Sequence, residues 1–354
     1  MTASAKQNLL DMTPLEAESA LRAFAVSAGF PSYRGSQVLR HVWAAPAKSF
    51  DDMSDVPKPF RALLEASFSI PRLASGAEQT SVDGTRKFLF TLSDGHAIET
   101  VAIPDGGRIT ICVSSQAGCA LRCSFCATGA MGFARNLKPC EIAGQVRELA
   151  FLDPPLRPTN IVFMGMGEPL MNWDSVDTVL SILNSPKGCA IGARHITVST
   201  VGWLPGIEAL AARPEQFRLA ISIHAPSDTL RATLMPVNTK FPLHDVLAAA
   251  AAFARRVTFE YVMLGKLNDA PEHARALAAL AKGCRAFVNL IPLHPGGSMG
   301  FTPTPHADIE TFARSLREHG VEVAIRKSRG MDISAACGQL RVERLARRRP
   351  AAAH

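Results

Sequence analysis

Three cysteines, Cys119, Cys123 and Cys126, stand in the spacing C-x3-C-x2-C within ITICVSSQAGCALRCSFCATGAMGFARNL, and a fourth, Cys112, lies seven residues ahead of the first. Three soft thiolates from one short loop suit a metal. A structural zinc site ordinarily takes four ligands, often from two C-x2-C pairs. Neither a second C-x2-C nor an H-x3-H occurs here. What remains is a three-thiolate site with an open position. It suits an iron–sulfur cluster with one iron left for a substrate, or a zinc site completed by a distant Cys or His.

Other residues have chemistry available but also plainer local readings. In Gly165-Met166-Gly167-Glu168-Pro169 the small residues let a backbone approach a ligand, and Glu168 can accept a hydrogen bond from an ammonium. The same letters also make an ordinary turn. Ser199, and Ser222-Ile223-His224, fall at the ends of strand-like runs, where polar residues often serve as caps. His294 ends NLIPLHP. Cys337, between alanines and Gly338, reads locally as a small buried hydrophobe. Glu99 in AIETVAIP reads as a solvent-facing strand residue, and Cys140, Cys189 and Cys284 as packing residues.

The elements that must position these groups follow from periodicity. Residues 8 to about 72 read as helical. Thr13-Pro14 gives a start signal, Gly29 a stop, a second helix begins at Ser36, and KPFRALLEASF makes a third. PSYRG reads as an Arg-bearing link. From Lys87 the period changes to short strands, KFLFTL, HAIETVAI and RITICVS, with Asp-Gly turns between them. Strand and helix then alternate. Six strand-to-helix units run from ITICVSS, and VEVAIRK adds a final strand. That alternation predicts a parallel sheet with crossover helices, an open wound sheet or a barrel. In a barrel the chemistry belongs at the carboxyl ends of the strands.

The chain has 354 residues, 47% of them apolar, and a formal charge of +7. The basic balance favours a polyanionic partner such as RNA. With aromatics at 6%, base stacking is not the expected main mode of binding. The longest apolar stretch, Val246 to Ala254, is too short for a membrane span. The N-terminus lacks the pattern of a secretion signal. A cytosolic protein is expected, with reduced cysteines serving metals or catalysis. Arg135, Arg326, Lys327 and Arg329 are candidates to position RNA phosphates.

The cysteine spacing resembles the signature of the radical S-adenosylmethionine (SAM) superfamily. VSSQAGCALRCSFCATGAMGFARNL is similar to the adenine C2 methyltransferases of 23S ribosomal RNA. So are FMGMGEPLMN (163–172), HITVSTVG (195–202), LAISIHAP (219–226), FEYVML (259–264), NLIP (289–292) and RGMDISAACGQL (329–340). NLLDM and PSYRGSQVLRHVWAAPAKSFDDMSDVPKPFRALL resemble that family's N-terminal domain.

The resemblance implies an α/β fold, a partial (βα)6 TIM-like barrel with an N-terminal helical accessory domain. Its boundaries would be residues 1–75 for an RNA-contacting helical domain, 76–104 for a β linker, 105–340 for the radical SAM core and 341–354 for a basic tail. A [4Fe–4S] cluster would sit on Cys119, Cys123 and Cys126. SAM would contact Gly167, Glu168, Ser199, Ser222, Ile223, His224 and His294, the last standing where the family usually has Asn. Cys337 would take a methyl group and become S-methylcysteine. Cys112 would be the resolving thiol that forms a transient disulfide with Cys337, and Glu99 the proton acceptor.

Two SAM molecules would serve each turnover. The implied partners are 23S rRNA, tRNA as a second target, a flavodoxin-like electron donor and a thiol reductant, for a monomer in the cytoplasm. The rivals are methylation at C8 of the same adenine and a non-enzymatic, zinc-stabilised RNA-binding protein. The stretch Met131-Gly132-Phe133 is more like the C2 enzymes.

Overall fold

The computed structural model describes residues 6–294, 299–335 and 338–340. Three helices open the chain, α1 (Pro14–Ser27), α2 (Tyr33–Val42) and α3 (Lys58–Ser67). The start signal at Thr13-Pro14 is realised as a capping box. Thr13 N–H donates to Glu16 Oε2 at 2.9 Å, and Glu16 N–H donates to Thr13 Oγ1 at 3.3 Å. α2 begins three residues before Ser36, so most of the expected link PSYRG is helix. Gly35 explains the close packing of this early turn. A Cβ there would lie 2.5 Å from Arg22 N, so glycine lets α2 rest directly on the backbone of α1. Two-residue strands, β1 (Gln7–Asn8) and β2 (Phe68–Ser69), pair in parallel and bring the two ends of the helical part together.

The main sheet begins with three antiparallel strands, β3 (Ala74–Thr80), β4 (Arg86–Thr91) and β5 (Ala97–Asp105), and continues through β6 (Arg108–Cys112). After β6 the chain makes the cysteine loop, bounded by the short strands β7 (Gln116–Gly118) and β8 (Phe133–Asn136) with the single-turn helix α4 (Ala127–Ala130) between them. Helix α5 (Pro139–Leu149) then leads to β9 (Asn160–Phe163), α6 (Trp173–Asn184), β10 (Ile196–Thr200) and α7 (Leu204–Ala211). The series continues with β11 (Arg218–Ser222), α8 (Asp228–Leu234), α9 (Leu243–Ala252), β12 (Thr258–Met263), α10 (Pro271–Gly283), β13 (Phe287–Pro292), α11 (His306–Glu318) and β14 (Val323–Ile325).

The sheet has ten strands among the described residues, in the order β3-β4-β5-β6-β9-β10-β11-β12-β13-β14. From β6 onward every pairing is parallel, and each crossover carries helix, as the alternation in the sequence predicts. Ile111, Ile161, Val198, Ile221, Phe259 and Val288 are fully buried. Such strands read as apolar runs because helices cover the sheet. β3 escaped the pattern because all seven of its residues are exposed. The stretch expected as a β linker is paired strand by strand onto β6.

Arg147 of α5 fastens the helical part to the barrel. Its guanidinium is buried and donates to the carbonyls of Val42 and Ala47. Burial pushes its pKa down to about 10. Among the described residues no helix is long and apolar enough to cross a membrane.

Candidate active site

The parallel strands end on a cavity of about 730 Å³. Its wall contains Cys119, Cys123 and Cys126. Gly167, Glu168, Ser199, Ser222 and His224 also face it, and His294, just after β13, joins them. Candidates drawn from five separate stretches of sequence therefore meet at the carboxyl ends of the strands, where barrel chemistry is found.

Pairing of β7 with β8 shapes the cysteine loop. Gly118 has φ +77°, and a Cβ on it would lie 2.0 Å from Gly132 O, so only glycine admits this approach of two backbones. Cys119 N–H donates to Gly132 O at 2.8 Å, and Ser124 N–H to Leu234 O at 2.9 Å. Burial pushes the Cys119 thiol up to about 12 and the Cys123 thiol higher still, and the neighbouring sulfurs add to the effect. A thiol becomes a ligand only as thiolate. Cys119 and Cys123 therefore need positive charge that arrives with what they bind.

Among the described residues, no three His, Cys, Asp or Glu side chains converge to hold a single metal ion. Three soft thiols on one wall, close enough to act on one another, are the donor set of an iron–sulfur cluster.

The turn after β9 is the second part. A Cβ on Gly165 would lie 2.6 Å from Val113 O, and Gly167, with φ +101°, is pressed against Gln116. Glu168 N–H donates to Gln116 Oε1 at 2.9 Å. The Glu168 carboxylate is almost fully buried and accepts from Leu170 N–H at 3.1 Å and Val201 N–H at 2.9 Å. Burial raises its pKa to about 7. A desolvated carboxylate beside a cavity, balanced by two main-chain N–H groups and the Thr200 hydroxyl, suits a cationic guest such as an ammonium.

His224 has φ +55°. Its Nδ1 accepts Val262 N–H at 3.0 Å, which places the proton of the neutral ring on Nε2. Burial, helped by Arg231, pushes its pKa down to about 3, so the ring is uncharged at neutral pH. Ile223 stands apart from its neighbours. Its side chain is fully buried, its N–H donates to Glu260 O at 3.1 Å, and it is not part of the cavity wall.

Beneath these strand ends lies a residue the sequence did not single out. Arg231 is fully buried and donates to the carbonyls of Val201, Ser222 (3.2 Å) and Ile223 (3.3 Å), and to Asn238 Oδ1 at 2.7 Å. It gathers the carboxyl ends of β10 and β11 around one cation. No local signal in SDTLRATL marks it.

Glu99 corrects the expectation of a solvent-facing residue. It is 4% exposed, and its Oε1 lies 3.3 Å from Lys87 Nζ in a buried ion pair. Lys87, Val101 and Cys112 face one another in one row across β4, β5 and β6. Residues two apart in a strand share a face, so Glu99 lies on the same side as Val101 and Ile103. Ile103 and its partner Thr110 line the cavity, which puts Cys112 and Glu99 on the face that continues its wall. Ser114 links this face to the glycine turn, because its Oγ donates to Glu99 O at 2.6 Å and accepts Met166 N–H at 2.9 Å.

Cys337 lies outside the described residues, as does the basic tail 341–354. The residues flanking Cys337, Ala335 and Gly338 to Leu340, line the cavity. Arg326, Lys327 and Arg329 line it as well. Arg135 does not line this cavity. It forms a two-bond bridge to Glu141 at 2.7 and 2.8 Å and a further contact to Asp94, and these acids raise its pKa.

The family described as the radical SAM superfamily matches residues 113–280, and the ribosomal RNA large subunit methyltransferase N-terminal domain matches residues 7–70. A probable dual-specificity RNA methyltransferase RlmN of Gemmatimonas aurantiaca is 65% identical over 346 residues, 98% of this chain and 96% of that protein. The dual-specificity RNA methyltransferase RlmN of Alcanivorax borkumensis is 43% identical, over 96% of this chain and 91% of the relative. A radical SAM methyltransferase from Sphaerobacter thermophilus, known from its crystal structure, superposes with a TM-score of 0.88 at 41% identity, covering 95% of this chain and 99% of that one.

Proposed function

Because the chain belongs to the family of dual-specificity RNA methyltransferases RlmN, within the radical SAM superfamily, we propose that it methylates C2 of an adenine in 23S rRNA, and an adenine of tRNA as well, through an S-methylated Cys337. One observation carries this reading. A single cavity is lined by Cys119, Cys123 and Cys126, by the Gly167–Glu168 turn, and by Ala335 and Gly338 on either side of Cys337.

Adenine C2 is electron-poor and bears an unactivated C–H bond, so polar methyl transfer is closed to it. A [4Fe–4S] cluster held by Cys119, Cys123 and Cys126, together with two SAM molecules per turnover, supplies the methyl group and the carbon radical that such a bond requires. Glu168 receives the SAM ammonium, and Gly167 leaves room for it. Ser199, Ser222, His224 and His294 complete the SAM contacts. Cys337 carries the one-carbon unit as a thioether and joins it to C2. Glu99 takes the proton from C2. Cys112 then attacks the Cys337 sulfur: the carbon–sulfur bond breaks, the released carbon takes up a proton to become the methyl group, and a Cys112–Cys337 disulfide remains. A cellular thiol opens that disulfide by exchange. A flavodoxin-like donor supplies electrons, and the enzyme acts as a cytoplasmic monomer.

Mapping of rRNA and tRNA by mass spectrometry, from cells with and without the gene, tests the reading. Loss of 2-methyladenosine with the gene is the expected result, and loss of 8-methyladenosine instead would overturn the C2 assignment. Anaerobically purified protein should carry iron and sulfide. A colourless protein with stoichiometric zinc would indicate RNA binding without this chemistry.

A further inference from the structure

Two segments about 250 positions apart meet at the turn between β3 and β4, and each grips the other with a carboxylate. From the turn, Asp83 Oδ2 accepts Gly330 N–H at 3.0 Å, while its Oδ1 accepts Thr85 N–H at 2.9 Å and shapes the turn itself. Asp332 returns the arrangement. Its Oδ1 accepts the Ser81 hydroxyl at 2.5 Å, and its Oδ2 accepts Val82 N–H at 3.2 Å. Lys87 extends from its ion pair with Glu99 to the carbonyl of Ser334 at 3.4 Å. Gly330, at φ +61°, completes the fit. A Cβ there would lie 2.7 Å from Ala335 Cβ and 3.0 Å from Thr85 Cγ2.

The far side of Cys337 is tied as well. Gly338 O accepts Ala127 N–H, and Leu340 O accepts the Thr128 hydroxyl, both at 2.7 Å. Ala127 and Thr128 directly follow the third cysteine of the loop. Thus one flank of Cys337 is bound to the β3–β4 turn and to Lys87, the ion-pair partner of Glu99, and the other to the loop that carries Cys119, Cys123 and Cys126.

Ser81, Asp83, Lys87 and Asp332 do not line the cavity. Met331 and Asp332 are exposed while Ile333 and Ala335 pack against the core, so apolar burial holds the segment down without defining its register. Directional hydrogen bonds fix register where burial does not. Register is what the transfer step needs, because a reacting carbon misplaced by about 1 Å can cost on the order of 100-fold in rate.

We propose that Asp83, Asp332 and Lys87 are positioning residues, which set where the segment bearing Cys337 stands relative to Cys112 and the cluster cysteines. The proposal rests on the reading of Cys337 as the methyl carrier. It separates generation of the radical, which the three residues do not touch, from delivery of carbon to the base, which depends on them.

The test uses the full-length, anaerobically reconstituted enzyme with 23S rRNA and measures two products, 5′-deoxyadenosine and methylated adenine. For the double variant D83A/D332A we expect unchanged iron content and a 10- to 100-fold slower RNA methylation. The ratio of 5′-deoxyadenosine to methylated adenine should rise several-fold. Gly330→Ala disturbs the same contact from the opposite side and should raise the same ratio. If the double variant loses its iron, Ser81→Ala, which removes a single bond, decides by that ratio. A wild-type ratio in these variants, whatever the rate, overturns the proposal, since general damage slows both products in parallel. The peptide containing Cys337 is weighed in the wild type. Absence of its methyl group sinks the underlying reading, whereas its presence with a wild-type ratio in the variants sinks the positioning role alone.

Discussion

Glu168 Oε2 accepts the N–H of Val201 at 2.9 Å, so the carboxylate that faces the cavity also ties the turn after β9 to the end of β10. Its two oxygens are held by two main-chain donors, and its charge meets no cation among those partners.

Glu168→Gln should therefore weaken SAM binding without emptying the cysteine loop. Glutamine removes the negative charge and turns an NH2 group toward one of the two N–H donors. Hydrogen bonds to charged groups contribute about 1.5–3 kcal/mol, which corresponds to roughly a 10- to 100-fold weaker affinity. Equilibrium binding of SAM to reconstituted protein with measured iron content checks this, and an unchanged affinity counts against the assignment.

Cys112→Ala should trap the enzyme on its RNA. Cys112 is buried at the end of β6, in the row shared with Val101 and Lys87. With no resolving thiol, the thioether between Cys337 and adenine persists. Labelled RNA should then travel with the protein through a denaturing gel. If Cys337 is methylated, the iron is in place and no adduct forms, Cys112 does not have this role.

Arg231→Met should destabilise the barrel itself. The substitution keeps an unbranched side chain but strips donors from the carbonyls of Val201, Ser222 and Ile223 in a fully buried position. Orphaned buried acceptors cost about 1–3 kcal/mol each, so a loss on the order of 3 kcal/mol is expected in urea unfolding. Lysine, which keeps a charge but not the fork, should fall between the two.

Acid should loosen the bracket at Arg135. Its hydrogen bond holds Asp94 at about 2, below the ordinary carboxylate value of 3.8. A folded-state pKa below the unfolded value gives stability that is present above about 4 and lost as pH falls toward 2. Asp94 is partly exposed, so solvent screening keeps the contribution below about 1 kcal/mol. Urea midpoints of the cluster-free protein at pH 5 and pH 3 should differ less for Asp94→Asn than for the wild type.

Local pattern carried the parts of this molecule whose causes are local. The parallel strands announce themselves because both faces are buried, and Thr13-Pro14 caps a helix with atoms three residues apart. The cysteine loop and the glycine turn are legible because their spacing is their function. Glu99 misleads for the opposite reason. A charged residue in the strand AIETVAIP is expected to face solvent, and the lysine that permits its burial stands on β4. Arg135 looks like a free cation until Asp94, 41 positions away, is brought to it. Arg231 sits in a helical stretch whose letters give no hint that three carbonyls from two strand ends converge on it. In each case the deciding partner is distant in sequence, and pairing register rather than residue type brings it near.

The tie between Thr128 and Leu340 spans 212 positions, and this sets an order of events during synthesis. Chains grow at about 5–20 residues per second. The cysteine loop is therefore made roughly 10–40 s before the segment that closes over it. Throughout that interval the three thiols lack their last covering, and the wall of the cavity is complete only once Leu340 has been made.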